Sequence, residues 1–324
     1  MAFVLGWVLA PDPILLAAAV TLDLAVGDPE YGLHPVRLIG RLLKAIEHAL
    51  RRVGADGYGG GIALFLGLAG FSIAAVSLLV TLASGPGIWT AWAAHLFALY
   101  SFIALGDLLR HGRAIERAVR DGHIDQARRA VSKLVGRDTA SMDGAACRRA
   151  AVESLGENLT DGFTSPLFWY VAGGLPLLTL FKVVSTMDSM VGYKTPAYLR
   201  FGWCGARLDD VMNFIPARAT WLLLAAVAAV LPQCSGRQAL RVGLEQHRLL
   251  PGPNAGWSEA AVAGAVRRRL VGPVWLNGQL VTDQWLGDPA DPPLATAADY
   301  ERASRLVVVS GVCAVLVAIA VLRL

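Results

Sequence analysis

The sequence predicts an all-α, polytopic integral membrane protein with helical cytoplasmic loops and broken or re-entrant apolar segments. Hydrophobic residues make up 55% of the 324 residues and charged residues only 17%, well below the roughly 25% of soluble proteins. Mean hydropathy is +0.50. Several uncharged runs approach the ~20 residues that a helix needs to cross a bilayer. We expect a single membrane-embedded domain over residues 1–324.

The net charge and the spacing of the cysteines exclude several classes of protein. The net charge is +4, and arginines in the loops of a membrane protein mark the cytoplasmic side. No nucleic-acid partner is therefore expected. The four cysteines are scattered and form no C-x-x-C pair, so neither a disulfide framework nor a zinc site is predicted. The amino-terminal apolar run lacks the basic region of a signal peptide, and we expect it to remain as a membrane helix.

The first third of the chain alternates between membrane and surface. The apolar residues 1–26 lead into a polar loop over 22–40 that contains Asp23, Asp28, His34 and Arg37. Asp-Pro and His-Pro in this loop disfavour helix at the preceding residue. Residues 37–52 predict a basic amphipathic surface helix. Residues 61–83 and 88–106 predict a membrane hairpin around SGPG, with His95 as a hydrogen-bonded packing residue.

A helical cytoplasmic insert is predicted over about 107–161. Apolar residues recur there at helical spacing, and DGH at 121–123 separates two soluble helices. Arg137 and Asp138 follow in a loop before the next helix. The basic excess places this insert on the cytoplasmic side.

Two further apolar runs, 162–181 and 219–235, flank a polar motif region over about 182–218. The first contains Pro166, Gly173, Gly174 and Pro176, which predicts a kinked span or a re-entrant element. If both runs cross, the lysines and arginines of 182–218 lie outside, against the charge rule, so we expect at least one not to cross. A polar loop region follows over about 236–304, with 276–299 as an exposed loop, before a last span over 306–322.

Polar residues at 153–161 and 182–218 predict a functional site, because charges are costly beside lipid. The segments contain no phosphate loop, dinucleotide fingerprint, zinc-protease helix or serine-hydrolase elbow. Carboxylates suit Mg²⁺, and Lys or Arg suits phosphate. A structural ion-pair network is the alternative. The carboxylates are Glu153, Glu157, Asp161, Asp188, Asp209 and Asp210, and the cations are Lys182, Lys194, Arg207 and Arg218.

Long motifs resemble those of a known family. They are LDLAVGDPEYGLHPVRLIG, LVGRDTASMD, TDGFTSPLFWY, TMDSMVGYK, ARLDDVMNFIPAR and PNAGW. They are similar to motifs of the CobD/CbiB family of adenosylcobinamide-phosphate synthases, membrane enzymes of cobalamin biosynthesis. The resemblance covers about residues 15–290, and Ser185 stands where many members have Asn.

The resemblance implies an ATP-dependent ligase that joins adenosylcobyric acid to (R)-1-amino-2-propanol phosphate or a related amino alcohol. ATP and Mg²⁺ are the implied cofactors, and the corrinoid is a substrate. We expect a multi-pass protein of the bacterial inner membrane with its active site facing the cytoplasm. A homo-oligomer or a complex with other cobalamin-biosynthesis enzymes is the expected assembly. The alternatives are a transporter or non-catalytic corrinoid-binding protein, and a structural subunit of a biosynthetic complex.

Three sets of site residues follow from this interpretation. The expected catalytic residues are Glu157, Asp161, Lys182, Asp188 and Lys194. The expected substrate- or nucleotide-binding residues are His34, Arg37, Arg137, Asp138, Asn158, Arg207, Asn213, Arg218 and Asn254. The expected metal ligands are Glu153, Glu157, Asp188, Asp209 and Asp210.

Overall fold

The computed structural model describes residues 8–27 and 31–324, and Asp28 lies outside this range. The described helices and strands follow in chain order. They are α1 (Pro13–Val26), α2 (Pro35–Arg52), α3 (Tyr58–Ala83), α4 (Ile88–Tyr100), α5 (Leu105–Arg120), α6 (Ile124–Val131), α7 (Gly144–Asn158), a π-helical turn (Leu159–Thr164), α8 (Ser165–Val191), α9 (Trp203–Met212), α10 (Phe214–Val230), α11 (Gly236–Gln246), α12 (Ala255–Val266), β1 (Leu270–Leu276), β2 (Gln279–Leu286) and α13 (Ala297–Val321).

The chain forms two compact units. Unit 1 comprises Met1–Ala104, Ser165–Asn213 and Val315–Leu324, and unit 2 comprises Leu105–Thr164 and Phe214–Ala314. Both units are helical, which confirms the predicted all-α class apart from one small β hairpin. The expectation of one membrane-embedded domain stays a prediction.

Four segments are long and apolar enough to cross a membrane: Tyr58–Ala83, Ile88–Arg120, Gly144–Val191 and Ala297–Val321. A fifth arises if α9 and α10, bent by 41° at their junction, count as one span. The chain is thus a multi-pass membrane protein. The bend lies near Asn213, within the polar motif region, and confirms that the chain contains broken or re-entrant apolar segments.

Unit 1 contains the predicted hairpin as α3 and α4. Its turn passes through Gly87, whose φ of 153° suits glycine. His95 of α4 is buried, and its Nε2 lies 2.9 Å from the Tyr170 hydroxyl. The same hydroxyl accepts from the Asp12 backbone N–H at 2.9 Å. These bonds confirm His95 as a hydrogen-bonded packing residue.

Helix α8 is broken inside its apolar part. Gly173 and Gly174 have non-helical backbone angles, and Pro176 follows them. A proline lacks the N–H for the helical bond, so the ladder is interrupted here. A Cβ at Gly174, where φ is 64°, would lie 2.1 Å from the carbonyl oxygen of Leu9. Only glycine fits this close approach, and the kink predicted from the glycines and prolines is confirmed.

Unit 2 departs from the sequence expectation at 276–299, where an exposed loop was predicted. Strands β1 and β2 pair antiparallel there, with Leu270 opposite Leu286 and Leu276 opposite Gln279. Asn277 and Gly278 form the turn, with φ of 52° and 73°. Asn-Gly with both residues at positive φ is the preferred two-residue hairpin turn. The loop prediction was wrong because this short-range signal was overlooked.

The last helix, α13, begins at Ala297, nine residues before the predicted span at 306. Its first turn is polar, and Asp299 accepts backbone N–H bonds from Thr296 at 3.0 Å and Ala295 at 3.3 Å. Arg268 Nε also donates to the Asp299 carboxylate at 2.8 Å. These bonds satisfy otherwise unpaired donors at the helix start. The helix therefore extends beyond its apolar part.

Candidate functional site

A cavity of about 210 Å³ lies in unit 2, beside the β hairpin. Charged residues of both signs line it, together with the aromatic Trp275. The four charged lining residues are Arg137, Asp138, Asp143 and Arg149. Each arginine has a buried Nε without a hydrogen-bond partner in the described structure. Unpartnered buried donors favour an anionic ligand, because a buried polar group without a bond is costly.

Arg137 is held by Glu153. Its Nη2 donates to Glu153 Oε2 at 2.6 Å, and each side chain is 11% exposed. Glu153 Oε1 accepts from the Val271 backbone N–H at 3.0 Å. Glu153, a predicted metal ligand, therefore fixes Arg137 against the start of β1. Both of its oxygens are engaged by protein donors.

Asp138 joins the same cavity to the hairpin. Its backbone N–H donates to the Trp275 carbonyl at 2.8 Å, and its Oδ2 accepts from the Gly278 N–H at 2.8 Å. The Gly278 bond ties the hairpin turn to the loop that contains Arg137. The structure gives Asp138 a positioning contact in addition to its place in the cavity wall.

Glu259 of α12 was not among the predicted site residues. It is buried, and the carboxylates of Glu157, Glu153 and Asp161 and the Arg137 guanidinium act on it electrostatically. Burial raises the pKa of Glu259 well above its usual range, and Glu157 raises it further. Its signal in the sequence is visible: Glu259 is the only charged residue in a helix of small and apolar residues.

The end of α7 packs against the helix that carries this buried carboxyl. Gly156 packs on Glu259, because a Cβ at Gly156 would lie 3.4 Å from its Cα. Asn158 Nδ2 donates to the Ser154 carbonyl at 3.0 Å and to its hydroxyl at 3.2 Å. Asp161 lies in the π-helical turn. Such turns often mark functional sites. Unit 2 thus contains Glu153, Glu157, Asp161 and Arg137 near the buried Glu259. The residues predicted to share a site with them, Lys182, Asp188, Asp209 and Asp210, belong to unit 1.

Arg218 and Asn254 meet elsewhere in unit 2. Arg218 Nη1 lies 3.4 Å from Asn254 Oδ1, and its guanidinium is 4.9 Å from the Trp257 ring centroid. The His247 ring stacks on Trp257 at 3.8 Å. Arg218 and Asn254, predicted separately as binding residues, therefore contact each other beside a flat aromatic stack.

Unit 1 holds the second acidic cluster. Asp188 and Asp210 lie within electrostatic range of Asp209, as does the Lys182 ammonium. Asp209 Oδ2 accepts from Asn213 Nδ2 at 3.0 Å, and Ser165 Oγ donates to Asn213 Oδ1 at 2.6 Å. The carboxylates predicted from α8 and α9 are thus brought together.

The approach of α9 to α8 depends on glycine. A Cβ at Gly205 would lie 2.9 Å from the Met187 Cβ and 3.5 Å from the Asp188 backbone nitrogen. A larger residue at 205 would force the two helices apart. Gly205 therefore sets the separation between the Asp188 and Asp209 backbones.

Lys194, Arg207, His34 and Arg37 complete the set of predicted site residues. Lys194 is exposed in the loop after α8. Arg207 is 67% exposed and lies 3.3 Å from Asp210. His34 is buried at the start of α2, edge-on to Tyr31 at 5.4 Å, and Arg37 of that helix is exposed. Their predicted roles stay predictions.

Within the described residues the predicted metal ligands do not by themselves form a cage for a cation. Over residues 8–27 and 31–324 no group of three or more His, Cys, Asp or Glu side chains is arranged to hold a metal ion. Mg²⁺ on a phosphate ligand commonly takes one or two protein carboxylates, with water and phosphate oxygens completing the octahedron. The carboxylates of Asp188 and Asp209, which interact electrostatically, are hard oxygen donors, so these residues fit a phosphate-bound Mg²⁺.

Together these features define a helical, multi-pass membrane protein with clustered carboxylates and a small arginine-lined cavity. A sequence profile of the family described as CobD/Cbib protein matches residues 16–307. The chain belongs to the CobD/CbiB family, whose curated members are named as cobalamin biosynthesis proteins.

Curated relatives cover most of the chain. The cobalamin biosynthesis protein CobD of Klebsiella pneumoniae is 40% identical over 271 residues, 82% of this chain and 84% of that protein. The cobalamin biosynthesis protein CbiB of Salmonella arizonae is 39% identical over 274 residues, covering 83% and 85%. CobD of Citrobacter koseri is 38% identical over 303 residues, covering 93% and 94%. No solved structure matches the chain significantly.

Proposed function

We propose that the chain is an ATP-dependent amide ligase that joins adenosylcobyric acid to (R)-1-amino-2-propanol phosphate, or a related amino alcohol, and so makes adenosylcobinamide phosphate. Membership of the CobD/CbiB family supports a role in cobalamin biosynthesis. The observation that carries the proposal is the unit 2 cavity with two half-buried arginines, each of which has a buried Nε without a hydrogen-bond partner in the described structure. The unpaired N–H donors in this cavity suit the oxygens of a phosphate group.

The reaction sets the demands on the site. A carboxylate resists attack by an amine until one of its oxygens becomes a leaving group, and phosphoryl transfer from ATP supplies that activation. The transferring oxygens carry negative charge, which positioned cations and Mg²⁺ stabilise. The protein must also hold the amine and the carboxylate in contact.

The unit 2 cavity suits the phosphorylated amine. Arg137 and Arg149 provide planar donors for phosphate oxygens, and Asp138 and Asp143 provide negative charge in the same wall for an ammonium group. Its volume of about 210 Å³ is below the ~300–1,000 Å³ typical of sites for drug-sized ligands. A small zwitterion fits this volume, and a corrinoid does not.

The unit 1 cluster suits the activation step. Asp188 and Asp209 are the carboxylates that would hold Mg²⁺, with Asp210 near them, and the ion would supply positive charge to the phosphates. Lys182, which acts electrostatically on Asp209, would neutralise phosphate charge as a point cation. Asn213 holds one Asp209 oxygen at 3.0 Å and so orients this carboxylate.

The proposed location is the bacterial inner membrane, with both clusters reached from the cytoplasm. The arginine-rich loops support this orientation through the charge rule. ATP and the amino alcohol are water-soluble, so a site facing the cytoplasm gives them direct access.

The test is the mass of the corrinoid formed by the purified protein. Adenosylcobyric acid, ATP, Mg²⁺ and each candidate amine are supplied, and ADP release is followed in parallel. The expected product is heavier by the amine minus water, and ADP forms only when both substrates are present. An unchanged corrinoid mass with tight corrinoid binding would reject the ligase in favour of a binding or transport protein.

Asp188→Asn separates the metal role from folding. We expect it to abolish ligation while the protein stays folded in membranes, because the amide is a weaker ligand for a hard cation. The matched control is Asp125→Asn, an exposed aspartate on α6 paired with Arg128 at 2.9 Å. Near-normal turnover by Asp188→Asn would reject the metal assignment.

A further inference from the structure

A second cavity, of about 420 Å³, lies in unit 2 between α5 and the start of α13. Four arginines, two glutamates, Tyr300 and Ser304 line it. The arginines are Arg113, Arg117, Arg120 and Arg305, and the glutamates are Glu116 and Glu301. Neither the proposed ligation nor the predicted site residues involve this cavity.

The lining of this cavity carries more positive than negative charge, with four arginines against two glutamates. Glu116 is bound by Arg148, which donates through Nε at 2.7 Å and Nη2 at 3.1 Å. Within the described part of the chain, no ion pair joins any of the four cavity arginines to a carboxylate. The cavity therefore presents excess positive charge to an incoming ligand.

The arrangement on α5 is unfavourable without an anion. Arg113, Arg117 and Arg120 are spaced by four and three residues and share one helical face. Like charges at this spacing destabilise a helix by about 0.2–0.5 kcal/mol per pair. A bound anion would remove this repulsion.

A buried hydroxyl forms part of the cavity wall. Tyr300 is 3% exposed, and its hydroxyl makes no hydrogen bond of ordinary geometry within the described residues, although Ser304 is near. Gly112 of α5 allows this hydroxyl to approach, since a Cβ there would lie 2.7 Å from it. An unpaired buried donor beside four arginines indicates that a polar ligand completes the site.

The cavity lies at the polar end of a candidate membrane span. Arg305 comes immediately before Leu306–Val321, sixteen residues without a charged side chain. Lipid phosphates lie where such an apolar run ends, and basic pockets beside membrane helices on the cytoplasmic side bind anionic headgroups. Free phosphate is also an anion, but nothing about it favours a position at the end of a membrane span.

We propose that this cavity binds the phosphate of an anionic phospholipid headgroup. Arg113, Arg117, Arg120 and Arg305 contact the phosphate oxygens, and the Tyr300 hydroxyl donates to the same group. The acyl chains lie along the apolar part of α13. The site is independent of the proposed ligation, and its failure would leave that proposal unaffected.

The test uses the full chain in neutral detergent and counts bound lipids by native mass spectrometry. Dioctanoyl phosphatidylglycerol is compared with dioctanoyl phosphatidylcholine, and inorganic phosphate and pyrophosphate are the soluble competitors. We expect one retained phosphatidylglycerol, no retained phosphatidylcholine and no displacement by either soluble anion. Displacement by millimolar phosphate would overturn the lipid assignment and make this a soluble-anion site.

Two double variants test whether phosphatidylglycerol binds in this cavity. Arg117→Gln with Arg305→Gln is expected to weaken phosphatidylglycerol binding roughly tenfold or more, because each basic residue adds to anionic-lipid affinity. The matched control, Arg129→Gln with Arg237→Gln, removes the same charge from exposed positions of unit 2. Equal weakening in both double variants would show attraction by net charge alone and overturn the site. Unchanged melting temperatures establish that both variants are folded.

Discussion

The buried Arg137–Glu153 pair gives the sharpest test of the unit 2 site. Arg137→Met removes one charge and leaves the Glu153 carboxylate with the Val271 N–H as its remaining hydrogen-bond donor among the described residues. Each side chain is only 11% exposed. Breaking a buried pair by removing one partner costs about 3–5 kcal/mol. Because some solvent still reaches both groups, we expect a loss of about 3 kcal/mol.

Glu153→Gln should cost less, about 2 kcal/mol, because the amide oxygen still accepts from Val271 while the charge on Arg137 loses its partner. Combining the two changes removes both charges. The double variant should therefore be less destabilised than the sum of the single variants by at least ~1 kcal/mol, since contacting residues are coupled.

The assay is unfolding in mixed micelles on titration with sodium dodecyl sulfate, followed by circular dichroism. The control is Arg207→Met, which removes an arginine from the exposed pair with Asp210, where Arg207 is 67% exposed. Exposed pairs contribute about 0–1 kcal/mol, so this variant should unfold nearly as the parent does. Strictly additive single variants at 137 and 153, or a loss at 207 as large as at 137, would refute the reasoning.

Three further predictions each concern one side chain, namely Tyr170, Glu259 and Asp138. Tyr170→Phe should lower the free energy of unfolding by about 1–3 kcal/mol, since His95 Nε2 and the Asp12 N–H lose the same hydroxyl; an unchanged unfolding midpoint would contradict this. The folded-state pKa of Glu259 is raised above its unfolded value of 4.5, so its contribution to stability is greatest below that pH and is lost as pH rises toward the folded pKa. Stability measured across pH should show this loss in the parent and not in Glu259→Gln, and parallel profiles would refute it. Asp138→Ala should speed amide exchange in Leu270–Leu286 roughly fivefold, because the Gly278 N–H loses its acceptor; Asp283→Ala, an exposed hairpin residue, is the control, and equal rates in the two variants would exclude the tether.

The sequence predicted the membrane helices because hydropathy over ~20 residues is a long and redundant signal. The hairpin around residues 84–87 and the break near Gly174 followed from apolar runs and from glycine and proline. The β hairpin was overlooked because its signal consists of two residues, Asn277 and Gly278, inside a polar region.

The sequence predicted most of the residues of the site but few of the contacts between them. Neighbours in sequence, such as Glu153 and Glu157, or Asp209 and Asp210, were recognised together. Glu259 was overlooked because burial decides its importance, and burial depends on which helix packs over it. The Val271 N–H on Glu153 is 118 residues away in the chain, and no local pattern indicates such a contact.

The distance from the break in α8 to Lys182 and Asp188 relates these side chains to the thickness of the bilayer. From Gly174 to Asp188 the helix rises about 21 Å, and to Lys182 about 12 Å, at ~1.5 Å per residue. Half of a ~30 Å hydrocarbon core is ~15 Å. If the break lies at the bilayer midplane, Lys182 is within reach of the interface and Asp188 lies beyond it in water. The Leu9 carbonyl, which packs against Gly174, would then prevent α8 from sliding along its axis. A shift of one helical turn would move the acidic cluster by about 5 Å.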